Sequence, residues 1–358
     1  MLTASIVLAV LSLIFFVYPL WRLCLWMGAP NELAALVATV GFSSQFVARL
    51  ALRGNRSAVA KVLRQGADTL LGISPVLLAV VLVGELILLF VPDGSTWVAL
   101  AGLAVTGLAG VWGFLNARTP RVVKVQLPAQ GVSQPVRFAQ ISDVHIGSRS
   151  SAFLGRVMEQ VNATAPDFLC ITGDFIDQPG ISEAQLSALK SFAGPIFFST
   201  GNHEYYEDFD DILERLRNLG VNVLRQAGSQ FGPVQIIGVD DHDDPDRLAE
   251  ALPALLPPRG LVNGPDENNF TLLMYHRPTG LEHAAAHGVD LMISGHTHDG
   301  QIYPFNLLVK RQFEHIRGLY KSSDGRTHLY VNQGTGTWGP TMRLGTFGEV
   351  TLFELQPA

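Results

Sequence analysis

Cysteine is almost missing from this sequence: Cys24 falls in an apolar run of the first third, Cys170 in a strand-like run further on, and there are no others. Two such residues exclude a disulfide framework and any thiolate metal cage, and both read as small buried hydrophobes. Basic charge is scarce as well. The chain carries 25 Lys and Arg against 31 Asp and Glu, and the shortfall is uneven: nine basic and four acidic residues occur through Lys124, 16 and 27 beyond it. An acidic second part has no broad electrostatic footprint for nucleic acid, so a polyanionic partner would have to be held locally, by metals rather than by a basic face.

Charge of either sign is rarest in the first third. Residues 3–21, 70–91 and 97–115 are apolar runs long enough to cross a bilayer core of about 30 Å as helices. Residues 33–52 are interrupted by Ser43, Ser44, Gln45 and Arg49 and either cross or lie in the interface, which leaves three or four spans. No basic residues precede the first run, no twin-Arg pair occurs, and no small-residue cleavage site closes it, so a retained anchor is expected. Arg53, Arg56, Lys61 and Arg64 lie between the second and third spans, and Arg118, Arg121 and Lys124 follow the last; the intervening connection 92–95 has no basic residue. The concentration of Lys and Arg on the inner side predicts a cytoplasmic location for everything after the last span, with Arg22 the one contrary charge. Glu85, inside the third span, needs a partner, for which Arg49 is the candidate. The expected organisation is a transmembrane helical unit over 1–120, a Pro-, Gly- and Gln-rich linker over 121–135, and a soluble domain over 136–358.

Within the soluble part the pattern alternates. Strands are expected at 136–141, 168–172 and 196–200, helices at 153–161, 183–192 and 209–219, and further strands at 234–239, 270–275, 291–294, 329–331 and 350–355. This order implies helices covering sheet faces. Polar motifs follow the strands. Asp143-Val144-His145 comes after the first, Gly173-Asp174 and Asp177 after the second, and Gly201-Asn202-His203-Glu204 after the third. His276 and Gly295-His296-Thr297-His298 come after two later strands. Open α/β sheets gather functional groups at strand carboxyl ends, and a core histidine has no reason to recur there. Taken alone, Asp143-x-His145 would be a surface turn and His276 a structural residue. Two His at alternate positions after an apolar strand and a glycine can address two neighbouring ions, and an Asn oxygen can complete a site already supplied with imidazole and carboxylate.

In that order the five pieces, with the stretch from Asn332 to Pro340, resemble the calcineurin-like metallophosphoesterase family, and within it a membrane-associated bacterial branch. The resemblance implies a four-layer α/β/β/α sandwich, here preceded by an all-α transmembrane bundle. It implies that Asp143, His145, Asp174 and His298 hold one metal and that Asp174, Asn202, His276 and His296 hold the other, Asp174 bridging. Asp177 would orient a ligating His, and Glu204 would hold the ring of His203, the residue placed to protonate a leaving oxygen. The mixed nitrogen and oxygen donors favour two divalent or trivalent ions of Mn, Fe, Zn or Co. Two ions about 3.5–4 Å apart can activate a shared hydroxide for attack on phosphorus. The expected activity is therefore hydrolysis of a phosphoester or pyrophosphate bond, and a membrane tether at the bacterial inner membrane points to a lipid-linked substrate, such as a UDP-diacylglucosamine-type precursor. The alternatives are a soluble phosphodiester or nucleotide and a non-catalytic scaffold, although no ligand position is missing. Gly334, Gly336, Trp338 and Arg343 are candidates for the substrate mouth, whereas Asp240 to Asp244 read as a solvated loop. His283 and His287 lack the Glu that a zincin helix needs, Ala284 standing in its place.

Overall fold

A computed structural model of the protein describes residues 10–52, 54, 57–256 and 269–358. They form two units: Met1–Leu115 with Gly339–Leu344, and Asn116–Trp338 with Gly345–Ala358. The opening residues of the expected span 3–21, and Arg53 and Arg56, lie outside the described residues.

The first unit is helical, with α1 (Val10–Trp26), α2 (Asn31–Ala51), α3 (Ala58–Leu88) and α4 (Pro92–Asn116). The last three are long and apolar enough to cross a membrane, among them the interrupted stretch. Apolar helices in lipid gain little from hiding one another's hydrophobic surface, so they hold together by close packing at small residues. Gly41 meets Leu20, Gly84 meets Trp26 and Val98, and Gly102 meets Val80, each so closely that a methyl group would collide. Glu85 is bonded not to Arg49 but to Arg22, through Nε and through Nη2 at 2.9 Å, with the Tyr18 hydroxyl 3.3 Å away. The reason is that α1 runs beside the later part of α3, where Trp26 touches Gly84, while Arg49 meets Asp68 nearer the start of α3. Gly339–Leu344 packs with this unit: Met342 covers Gly72, and the backbone N–H of Arg343 donates to Gly113 at 2.9 Å. Arg343 is fully buried there, so it does not line a substrate mouth.

The second unit contains β1 (Arg121–Ala129), β2 (Val136–Ile141), β3 (Phe168–Thr172), β4 (Ile196–Ser199), β5 (Val221–Val223), β6 (Ala227–Phe231), β7 (Val234–Val239), β8 (Phe270–Tyr275), β9 (Leu291–Ser294), β10 (Gly318–Lys321), β11 (His328–Val331) and β12 (Glu349–Pro357). They make two six-stranded mixed sheets, ordered β1-β12-β2-β3-β4-β5 and β10-β11-β9-β8-β7-β6. The region expected as a linker is thus largely strand. β1 runs parallel to β12, with Val125, Leu127 and Ala129 turned inward and Lys124, Gln126 and Pro128 outward, an alternation that the polar residues disguise.

Period-two alternation builds the layers. In β3, Phe168 and Cys170 face the space between the sheets, and Leu169 and Ile171 face the helix Ser151–Ala163. In β8, Leu272 and Met274 face inward, and Leu273 and Tyr275 face the helices Arg247–Leu255 and Leu281–Ala286. Three apolar layers between four structural ones give the α/β/β/α sandwich. β2, β3 and β4 are parallel in one sheet, and β7, β8, β9 and β11 in the other, so the carboxyl ends within each sheet share an edge. Candidate ligands can meet there.

Candidate metal centre

Two clusters of donors form at these strand ends. Asp143, His145 and His298 make one and Asp174, His276 and His296 the other, with the donor atoms of each group within 4.8 Å of one another. In the first, His145 Nε2 lies 3.2 Å from His298 Nε2, which is 3.3 Å from Asp143 Oδ1. In the second, His276 Nε2 is 3.2 Å from both Asp174 Oδ2 and His296 Nδ1. Ring nitrogens facing each other at this distance turn lone pairs toward the same space unless a proton or a cation lies between them. His276 Nδ1–H donates to the Thr172 carbonyl at 2.8 Å, which fixes the tautomer and leaves Nε2 aimed at the cluster. His145 Nδ1 lies 3.4 Å from Asp177 Oδ2, an arrangement of the same kind.

Asn202 follows β4, and both of its neighbours approach Asp174. The His203 backbone N–H donates to Asp174 Oδ1 at 2.8 Å, and a Cβ on Gly201 would stand 2.2 Å from that same oxygen. Asn202 Oδ1 is buried with no hydrogen-bond partner. An orphaned buried acceptor, on a residue whose two neighbours both approach Asp174, is what a cation could use and what a metal-free core would avoid. Gly295 is required for a similar reason, since a Cβ there would run into Ser142 and Asp143.

The backbone at the ligand positions is unusual. Asp143, His145, Asp174, His296 and His298 have φ of 53°, 56°, 48°, 71° and 50°. Such left-handed conformations cost non-glycine residues about 1–3 kcal/mol each and persist only where the surroundings enforce them. Asp143 and His145 therefore do not project from an extended segment. They are held by their own backbone, Asp143 N–H donating to Gly173 O and His145 N–H to Asp174 O, both at 3.1 Å.

A sequence profile of the calcineurin-like phosphoesterase family matches residues 136–300, a stretch that contains both clusters. The chain carries a calcineurin-like metallophosphoesterase domain. It is similar to a metallophosphoesterase of Helicobacter pylori strain J99, 31% identical over 66% of this chain and 64% of that one. A Campylobacter jejuni metallophosphoesterase is 32% identical over 67% of this chain and 64% of its own length. A zebrafish relative named as a transmembrane protein with metallophosphoesterase domain is 30% identical over 75% of this chain and 65% of that one. The matches thus span somewhat less than two thirds of the relatives' lengths.

Three residues of the metallophosphoesterase domain act differently from expectation. Glu204 does not hold the ring of His203; its carboxylate accepts from four backbone N–H groups, those of Asp174, Phe175, Ile176 and Gly201, at 2.7–3.1 Å. It clamps the loop that carries Asp174. Burial and the nearby Asp174 charge push this carboxyl up to about 7 against the pull of those donors. Asp240 and Asp241 are buried rather than solvated, because Arg225 pairs with the first at 2.9 Å and Arg277 with the second at 2.9 Å. The stretch after β11 also does more than line a mouth. Thr335 N–H donates to Ser142 O at 2.7 Å and Gly336 N–H to Asp143 O at 2.9 Å, so it grips the loop of the first carboxylate. Its conspicuous run of glycines and threonines was the available signal.

The electrostatics show a site built around positive charge. Burial alone would raise Asp143 and Asp174, yet His298 and His276 hold the first below its ordinary range and His276 and His203 the second. Burial would lower His276, but Asp174 raises it to about 10, and burial together with the His276 charge pushes neighbouring His296 down to about 3. His203 is lowered by burial. Its ring stands edge-on to His145 at 4.7 Å and lies 6.3 Å from the ring of exposed Trp338, whose N–H and carbonyl are both bonded to Gln301.

Proposed function

We propose that this protein is a membrane-tethered phosphoesterase that cleaves a phosphoester or pyrophosphate bond at a pair of metal ions. The observation that carries this reading is the pair of carboxylate–imidazole clusters at the strand ends, supported by the orphaned oxygen of Asn202, whose neighbours Gly201 and His203 approach Asp174. Asp143, His145 and His298 would hold one ion and His276, His296 and Asn202 the other, with Asp174 serving both. Oxygen and imidazole donors without thiolate suit Mn, Fe, Zn or Co. When bound, such a pair supplies an activated water and neutralises charge at the phosphoryl oxygens.

The remaining work belongs to the chain. Thr172 O and Asp177 fix the rings of His276 and His145, and Glu204 and Gly336 hold the loops that carry the two carboxylates. His203 gives a proton to the leaving oxygen. Burial disfavours its charged form, so the negative charge of the bound ester is what brings it to donate.

The substrate is a phosphate carried on a membrane lipid, a reading supported by three helices long and apolar enough to cross a bilayer. Lys61 and Arg64 in the first turns of α3, and Arg118, Arg121 and Lys124 after α4, contrast with the connection 89–95, which carries Asp93 and no basic residue, and favour a cytoplasmic catalytic domain, at the inner membrane of a bacterium. The test uses full-length protein stripped by a chelator, reloaded with each metal in turn, and assayed on a monoester, a diester and extracted membrane lipids. Turnover should return with about two bound ions per chain. Equal turnover in the stripped and reloaded protein would end this reading.

A further inference from the structure

The helix Asn306–Gln312 lies on the surface of the metallophosphoesterase domain, and none of its seven residues is buried. So short a helix is ordinarily held by the core it packs on. Here Leu307 and Leu308 are both more than half exposed, as is Tyr303 just before the helix. Lys310 and Arg311 follow one turn later on the side that Leu307 occupies, and neither forms an ion pair among the described residues. Between Tyr303 and Gln312 there is no acidic residue, although Asp and Glu outnumber Lys and Arg by 27 to 16 beyond Lys124. Large apolar side chains grouped in the open mark an interaction surface. With unpaired basic residues beside them, the surface matches the outer layers of a bilayer, where hydrocarbon lies under anionic phosphate.

The place of this face in the domain favours the same partner. The chain passes between the domain and the helical unit three times, at Asn116, Trp338 and Gly345. All three points are tied to the base of the exposed segment. Asn116 Nδ2 donates to Thr346 O at 2.7 Å, and Thr346 Oγ1 donates to Gln301 O at 2.6 Å. Gln301 exchanges hydrogen bonds with the backbone of Trp338 at 2.8 and 3.1 Å, and a Cβ on Gly345 would stand 3.0 Å from that of Tyr303. Asn116 is also the last residue of α4, a helix long and apolar enough to cross a membrane. Tyr303, Leu307 and Leu308 are thus carried beside the residues at which the tether leaves the domain, and a tethered surface meets its partner at high local concentration.

We propose that Tyr303–Gln312 is a docking face for an anionic lipid surface: Tyr303, Leu307 and Leu308 enter the interfacial layer, and Lys310 and Arg311 pair with lipid phosphates. This rests on the membrane tether proposed above and not on the hydrolase. The test uses the full chain in lipid nanodiscs, with a fluorophore on Leu308→Cys in a Cys24→Ala background, Cys170 being buried. The same fluorophore on Asp211→Cys, an exposed position of the helix Phe209–Asn218, is the control. In discs containing phosphatidylglycerol, a quencher attached to the lipids near the headgroup should dim the Leu308 site at least about threefold more than the Asp211 site. Lys310→Gln together with Arg311→Gln, or discs of phosphatidylcholine alone, should remove most of that difference. Equal quenching at the two sites overturns the docking face and leaves the tether standing, whereas a chain that does not enter nanodiscs overturns both. Quenching that ignores lipid charge and the double substitution overturns the pairing with phosphates, and with it the proposed partner. Shielding of the Leu308 site from aqueous iodide without quenching by lipid means that a second copy of the chain covers the face, and also overturns the proposal.

Discussion

In the helical unit, Glu85 is joined to Arg22 and Tyr18, and Asp68 to Arg49, so each of these carboxylates among apolar helices has an opposite charge within the same unit. At the strand ends of the metallophosphoesterase domain, Asp143, His145, Asp174, His276, His296 and His298 are crowded against one another, with left-handed backbone at five of the six. One arrangement closes its own charge balance; the other leaves it open for a cation. The contrast teaches that burial of charge does not mark a functional site by itself. What marks it is a convergence of ligand-type side chains that the protein does not satisfy alone, as at the two clusters of carboxylate and imidazole.

The sharpest way to break this comparison is Asp174→Asn. Turnover should fall by about a thousandfold or more, with less bound metal and an unchanged circular dichroism spectrum, because the carboxylate proposed to serve both ions is lost while the fold is not. Wild-type activity in that variant would refute the assignment. His203→Ala should slow esters with poor leaving groups by about a hundredfold and p-nitrophenyl esters far less, since only the former need a proton. A uniform loss across leaving groups would make His203 a positioning residue.

Glu204→Gln tests the clamp. An amide offers one oxygen to four backbone donors and turns an NH₂ group toward the rest, so the domain should lose about 1–3 kcal/mol in a denaturant titration. Glu349 sharpens the comparison from inside the same domain. It is buried, accepts hydrogen bonds from Tyr330, Gln333 and Thr351, and burial raises its carboxyl above the ordinary value. A raised carboxyl means that ionisation costs folding energy: the wild type should match Glu349→Gln at acid pH and fall behind it as pH climbs from the usual carboxylate range through the raised value. Denaturation midpoints of both proteins across that interval read the difference, and parallel curves would contradict it. The smallest effect is expected at Glu85→Gln, about 1 kcal/mol or less on the thermal stability of the solubilised chain, with turnover unchanged.

How much of this was legible beforehand depends on the range of the interaction. The apolar runs, the strand pattern and the motif at each strand end are local, and they named every member of both clusters, whereas the division into two sheets came from the resemblance to the family. The clamp by Glu204 was not legible, because its partners, Asp174 to Ile176, lie about thirty positions earlier and are backbone groups that no side-chain pattern announces. Arg22 was passed over as the partner of Glu85 because helix neighbours are set by packing at Gly84, not by order in the chain. β1 was read as a linker since its outward Lys124, Gln126 and Pro128 hide the inward residues. Gly339–Leu344, near the end of the chain, packs with helices from its beginning, an association with no local signature.

The order of residues alone therefore determined which side chains could serve a metal centre and that apolar helices precede it, because residue chemistry and hydrophobic period are properties of short stretches. Which of those side chains face one another, which buried charges are already balanced, and where an acceptor remains without a partner were decided only when distant strands came together. Hydrogen bonds and ion pairs act over a few ångströms of space, and the chain places their partners by folding rather than by sequence distance.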